Sequence, residues 1–251
     1  MSIAILTLAE VEKMRRAGRA ARATLREVGA RLAPGVTTRD IDVWVRADTE
    51  RRGGRPSQLG YHGFPAAVCT SRNDVVCHGI PRDGDRLAEG DIVNVDVTTE
   101  LDGYHGDTSI TFVVGDASPE ARHVVRVAEA AMVAGIAAVR DGVRLGDVGA
   151  AIEAVAHREG CSIVRDFGGH GIGRSMHAAP HVPHYGTPGK GLRPKAGMCI
   201  TVEPMVNLGG SAVAVGPDGW TVRTLDGRWS AQFEHTIVVT KRGAEILTAD
   251  D

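Results

Sequence analysis

Apolar positions recur at helical spacing along the N-terminal stretch, where Val11, Met14, Gly18, Ala21, Leu25 and Val28 fall on one stripe of a 3.6-residue repeat. Thr7-x-x-Glu10 stands just before that stripe as a capping box, and Ala33-Pro34-Gly35 stops it, so a long amphipathic helix is predicted. A second helix is predicted over "TTRDIDVWVRADTERRGG" (37–54), followed by strand and loop signals through Val114. The same order then begins again. Ser118 opens a long helix running to near Gly142, "RLGDVGAAIEAVAHREG" (144–160) predicts another, and a second set of strands follows.

The recurrence has a fixed spacing. Laying 34–53 over 141–160 pairs Gly35 with Gly142, Val36 with Val143, Asp40 with Asp147, Ile41 with Val148, Ala47 with Ala154 and Gly53 with Gly160, at an offset of 107 throughout. The same offset pairs "GDIVNVD" (90–96) with "GMCITVE" (197–203), glycine with glycine and Asp96 with Glu203. Helix and strand patterns recur in any α/β protein, but an ungapped offset shared by two separate segments predicts a diverged helix-helix-strands duplication. Its copies cover approximately 7–114 and 118–240, stacked on a shared core within one domain spanning 1–251.

Two halves related by a pseudo-twofold bring equivalent positions together, so Asp96 and Glu203 are expected to face one another. Carboxylates that meet inside a protein need a proton or a cation between them. "NVDVTTELDGYHGDTSITFVV" (94–114) reads as two strands around a tight turn. With Leu101 and Asp102 as the loop, Asp96 lies opposite Asp107; with Asp102 and Gly103, the register shifts by two and the pair is diagonal. Either register puts both carboxylates on one face, about 4.5 to 8 Å apart. A divalent metal is the natural compensation.

Two further segments extend the set. "FGGHGIGRSMHAAP" (167–180) contributes His170 and His177, and "SAQFEHTIVV" (230–239) contributes Glu234 in a β-branched strand. Singly, a strand carboxylate is usually a solvated face and a lone histidine a satisfied polar group. Together, Asp96, Asp107, His170, Glu203 and Glu234 are four carboxylates and one imidazole, an oxygen-rich donor set suited to two ions about 3.5 to 4 Å apart.

Composition narrows the field. A chain of 251 residues with 43% hydrophobic content supports a sizeable core, and a net charge of -2 without a long basic run speaks against a nucleic-acid substrate. No apolar run approaches the roughly 18 to 20 residues of a membrane span, and "MSIAILTLAEVEKMRRAG" turns charged too early for a signal peptide, so a cytoplasmic protein is expected. Cys69, Cys77, Cys161 and Cys199 form no C-x-x-C pair and are expected to be reduced and mostly buried. H-E-x-x-H and G-x-S-x-G are absent, and Arg174 stands where a dinucleotide fingerprint needs its last glycine.

"NDVVCHGIP" (73–81), "DIVNVDV" (91–97), "GYHGDTS" (103–109), "GHGIG" (169–173), "TVEPM" (201–205) and "SAQFEHT" (230–236) closely resemble the motif series of type I methionine aminopeptidases, in order and across nearly the whole chain. The resemblance implies an α+β pita-bread fold, two pseudo-twofold-related α/β halves with a curved antiparallel sheet and outer helices, in a compact bacterial-type single catalytic domain. It implies removal of N-terminal methionine from nascent proteins when the second residue is small, by attack of a metal-bridging hydroxide. Carried over residue by residue, Asp107 and Glu234 bridge two divalent ions, His170 and Glu203 complete one, and Asp96 completes the other, where the free α-amino group binds. Cobalt, manganese, iron and zinc all suit this set. Glu203 moves protons, His177 stabilises the oxyanion and His78 contacts the scissile nitrogen side. His78 and His177 thus face the substrate, whose methionine side chain is lined by Tyr61, Phe64, Cys69, Met176 and Trp220.

One departure is local: where the family commonly carries acidic residues after the second histidine, this chain has Ala178 and Ala179, neither a ligand position. Expected partners are nascent polypeptide N-termini, with the ribosome as a candidate; a monomer without membrane contact is expected. The protein's own Met1-Ser2 has a small second residue and falls in its substrate class. Within the same fold the rival is a proline-specific aminopeptidase or dipeptidase, which usually brings a further N-terminal domain. From another class, the rival is a binding protein that has lost metal ligands, whereas all five are present here.

Overall fold

The computed structural model describes residues 3–250; Met1 and Ser2, with the self-processing expectation that rests on them, lie outside the described residues, as does Asp251. The first half runs α1 (Leu8–Gly29), α2 (Thr38–Arg51), β1 (Arg55–Pro56), β2 (Cys69–Arg72), β3 (Val75–Cys77), β4 (Ile92–Leu101) and β5 (Tyr104–Val113). The second runs α3 (Pro119–Ala138) and α4 (Leu145–Arg158), then β6 (Ser162–Ile163), β7 (Gly169–Gly171), β8 (Ala178–Val182), β9 (Cys199–Val202), β10 (Met205–Asn207) and β11 (Val213–Val215). It ends with β12 (Val222–Thr224), β13 (Ser230–Gln232), β14 (Glu234–Val239) and β15 (Ala244–Ile246).

The helix starts follow from local chemistry. Thr7 Oγ1 accepts the Glu10 N–H while the Glu10 carboxylate accepts the Thr7 N–H at 2.9 Å, a closed capping box. Asp40 and Asp147, aligned by the 107-residue offset, do equivalent work: each is the third residue of its helix and accepts the N–H of the residue before the helix, Thr37 at 2.8 Å and Arg144 at 2.9 Å. Gly90 and Gly197 both turn into their strands at left-handed φ, 88° and 90°, which a side chain would resist. The third helix stops at Ala138, short of the predicted Gly142, and Val139 leaves it with extended backbone.

The antiparallel sheet has the order β1-β4-β5-β14-β9-β7-β8, with β2 also on β4 and β15 also on β14. β5 and β14 pair at its centre, Glu234 opposite Ser109 and His235 opposite Thr108. β4 flanks one side and β9 the other, which is the pseudo-twofold arrangement of the pita-bread fold. Alternation sets the faces. Val93, Val95 and Val97 pack with Ala21, Leu25 and Val28 of α1 and with Ile41 and Val45 of α2. Ile200, Val202 and Ile237 pack with α3 and α4 through Val124, Ala128, Ala131, Val148 and Ile152. Burial of each of these valine, leucine and isoleucine side chains contributes on the order of 1.5 to 3 kcal/mol, and of each alanine less. A Cβ on Gly106 would lie 2.4 Å from the Gly18 Cα, so two glycines let α1 lie directly on β5 beside Asp107.

The hairpin takes the second of the two registers. Leu101 pairs with Tyr104 and the loop is Asp102-Gly103, with φ of 53° and 77°. A turn with both central residues left-handed favours Asp-Gly. Asp96 therefore faces Ser109, Asp107 faces Thr98, and the two carboxylates are diagonal neighbours on one face.

Candidate metal centre and substrate cavity

The helix-packed faces of β4, β5, β9 and β14 are mostly apolar, with Thr99, Thr108 and His235 as exceptions; the opposite face carries Asn94, Asp96, Thr98, Asp107, Ser109 and Thr111 in the first half alone. Asp107, His170 and Glu234 each offer a ligand atom, all within 4.8 Å of one another. His170 Nε2 lies 3.8 Å from Asp107 Oδ2 and 3.5 Å from Glu203 Oε1. Asp96 and Glu203 line the same cavity floor. Asp107, Glu203 and Glu234 are buried.

Burial holds the Asp96, Glu203 and Glu234 carboxyls well above the usual carboxylate range, and the neighbouring Asp107 adds like-charge repulsion to each. Asp107 itself is raised by burial, against the hydroxyl of Thr98. Asp96 Oδ1 and Glu234 Oε1 are buried without a hydrogen-bond partner among the described residues. Orphaned acceptors of this kind, converging with an imidazole, suit divalent cations. His170 is prepared for that role: burial holds its pKa down to about 3, so the ring is neutral. Its Nδ1 sits 3.1 Å from the Gly171 carbonyl, a partner that assigns the proton to Nδ1 and leaves a lone pair at Nε2, toward the carboxylates.

Two cavities meet at His78, Asp96 and His177. One, of about 330 Å³, runs over the carboxylates between Cys77, Phe167, Met205 and Gln232. The other, of about 370 Å³, is lined by Tyr61, Phe64, Cys69, Met176 and Trp220, together with Gln58, His62 and Thr98. All five side chains that the resemblance marks for methionine thus share one mostly apolar chamber opening onto the carboxylates. His177 is tilted against Tyr61 and edge-on to His170, with centroids at 5.0 and 4.2 Å; although part of its surface is exposed, desolvation of the ring, and then the neighbouring His78, lower its pKa to about 4. His78 sits at φ 54°, a left-handed conformation for a non-glycine residue, with its ring edge-on to Phe167 and Trp220. Cys69 and Cys77 are free, buried thiols with pKa values raised by desolvation.

Several site residues escaped the sequence reading. Thr201 Oγ1 donates to Glu203 Oε1 at 2.6 Å and Gln232 Nε2 to Oε2 at 3.2 Å. Gln58 bridges the main chain of Asp96 and Thr98. Thr98, Thr201 and Gln232 each stand two residues from a carboxylate, on the same face of an extended chain, so alternation was the available signal. His181 and Ala178 line the first cavity, so a methyl group forms that part of its wall, while Ala179 is exposed and lies outside the cavity lining.

The match to metallopeptidase family M24 runs over residues 12–241. Methionine aminopeptidase A of Synechocystis sp. is 50% identical over 247 residues, covering 98% of both chains. The crystal structure of methionine aminopeptidase from Rickettsia prowazekii superposes with a TM-score of 0.97 at 46% identity, covering 99% of this chain and 100% of that one. Prolidase from Pyrococcus furiosus, 20% identical with a TM-score of 0.79, shares the fold, and 98% of this chain covers 66% of that one.

Proposed function

This chain belongs to metallopeptidase family M24, and from that premise we infer that the floor between the two cavities is the catalytic centre of a metal-dependent methionine aminopeptidase, a hydrolase that removes N-terminal methionine from polypeptides. The observation that carries the reading is the convergence of buried, partnerless carboxylate oxygens and a neutral imidazole beside an apolar chamber of about 370 Å³.

Asp96, Asp107, His170, Glu203 and Glu234 would hold two divalent ions. When bound, the ions supply Lewis acidity, polarising the scissile carbonyl and lowering the pKa of a water toward neutrality. The protein does the rest. The apolar chamber takes the thioether side chain of the first residue. Asp96, common to both cavities, marks where the free α-amino group is held, which makes the enzyme an exopeptidase. Glu203, its two oxygens steadied by Thr201 and Gln232, takes a proton from the attacking water and returns it to the leaving amine. Neutral His177 donates a hydrogen bond to the oxygen that gains charge, and His78 contacts the scissile nitrogen side. Among the described residues no helix is long and apolar enough to cross a membrane. The setting that fits this reading is a cytoplasmic monomer acting on chains as they leave the ribosome.

The test is the rate of methionine release from a methionine-starting peptide by metal-depleted protein, restored separately with cobalt, manganese, iron and zinc. The reading requires activity to be lost on depletion and recovered with at least one ion. Undiminished activity after complete depletion would overturn it.

A further inference from the structure

We propose that His184 is a positioning residue for Glu203, its imidazole replacing the strand partner that the Glu203 main chain lacks. The proposal rests on the role given to Glu203 above. The ladder between β9 and β14 ends at Val202, opposite His235, and the chain resumes at Met205 in a different sheet, paired with β13. Glu203 and Pro204 fall in the gap between the two sheets. Pro204 has no N–H to give and biases the residue before it toward extended backbone. The Glu203 N–H is therefore outside both ladders, in a buried place where an unpaired donor is costly.

His184 Nε2 accepts that N–H at 3.1 Å. The imidazole is 1% exposed and lines neither cavity, and its hydrogen bond to the site is to the Glu203 main chain. Accepting at Nε2 assigns its own proton to Nδ1. Three elements then fix one carboxylate: Thr201 on β9 and Gln232 on β13 hold its two oxygens, and His184 holds the main chain from which it departs. His184 also follows β8, the strand that begins directly after His177, so one stretch of chain sets both His177 and Glu203.

The test compares His184→Phe, which keeps a ring and removes the acceptor, with His184→Gln, whose side-chain oxygen can accept in place of Nε2. The readouts are kcat and KM on a methionine-starting peptide, the dissociation constant for manganese by titration calorimetry, and Tm of the metal-free protein. His184→Phe is expected to lower kcat and weaken manganese binding about 10- to 100-fold with KM unchanged, the usual cost of losing a group that orients a ligand. His184→Gln is expected to recover most of both losses. Should His184→Phe fail to fold, His184→Gln alone decides: near-normal kcat and manganese affinity support the proposal, and a loss of both overturns it. A folded His184→Phe with unchanged kcat and manganese affinity overturns it too, as does equal impairment of both variants in step with Tm. Glu203→Gln serves as the separate control. If it keeps full turnover and metal affinity, the role of Glu203 itself fails, whatever His184 does.

Discussion

Thr98 faces Asp107 directly across the β4–β5 hairpin and donates its hydroxyl to Asp107 Oδ1 at 2.7 Å. The register set by the Asp102-Gly103 turn therefore places a donor, and not the second carboxylate, opposite Asp107. The main chain of Asp107 is held as well, its N–H by Thr236 Oγ1 at 3.0 Å and its carbonyl by the same hydroxyl at 2.9 Å. Thr98→Val keeps shape and loses the donor. It is expected to weaken divalent-metal binding about 10-fold while Thr98→Ser stays near wild type, measured by titration calorimetry. Equal affinity in the valine variant and the wild type would leave the hydroxyl without this role.

Asp107 and Glu234 come from the two central strands and share His170 as a neighbour. If both serve two ions at once, Asp107→Asn and Glu234→Gln each abolish turnover and lower metal content. Without metal the sign reverses. Replacing a buried, uncompensated carboxyl by an amide relieves the burial that raises both groups, and for Glu234 also the repulsion of its acidic neighbours, so the metal-free variants melt at or above the temperature of metal-free wild type. Paired thermal melts with and without manganese check both halves. A metal-free variant melting well below wild type contradicts the argument.

What could be read from the chain and what could not divides along a physical line. The Thr7–Glu10 capping box, and the placing of Asp96 and Asp107 on one face of a hairpin, depend on neighbours a few residues away. The hairpin register did not follow, because a shift of two residues preserves every facing and leaves the hydrophobic pattern satisfied. Only the demand of the Asp102-Gly103 turn for two left-handed residues separates the registers, and that weighs backbone strain rather than polarity. Thr98, Thr201, Gln232 and Gln58 are ordinary polar residues locally. They gain meaning only once β13 and the Gln58 loop are brought to the carboxylates by the tertiary fold.

Glu10, which lines neither of the two site cavities, links pH to stability. The Thr7 main-chain N–H first, then the Tyr104 hydroxyl and the Thr7 hydroxyl, pull its pKa from 4.5 to about 2. A carboxyl depressed on folding adds stability that is complete above its unfolded value and is lost as pH falls through the folded one. Glu10→Gln should thus lower Tm clearly at pH 7, with the gap to wild type narrowing between pH 4.5 and about 2. Melts across that range test it, and a gap that stays constant down to pH 3 would show that the charge is not the source.

If the second residue of the substrate lies over the carboxylate floor, it meets a cavity wall that includes Cys77, Met205 and Gln232, all buried. Buried side chains resist displacement, so a bulky second side chain is expected to push the scissile bond away from the attacking water, and a displacement of about 1 Å can cost on the order of 100-fold in rate. The peptide "MSIAIL", the first six residues of this chain, should then lose methionine at least about 100-fold faster than the same peptide with arginine or leucine second. "ASIAIL" should be nearly inert, because alanine leaves the apolar chamber unfilled. The comparison is of kcat/KM by mass spectrometry of the released amino acid. Equal rates for serine and arginine in second position would replace methionine removal with a general aminopeptidase, and an absolute requirement for proline there would make the enzyme proline-directed. Finding Ser2 at the N-terminus of the protein purified from cells is the weaker observation, since the host's own enzyme can remove Met1.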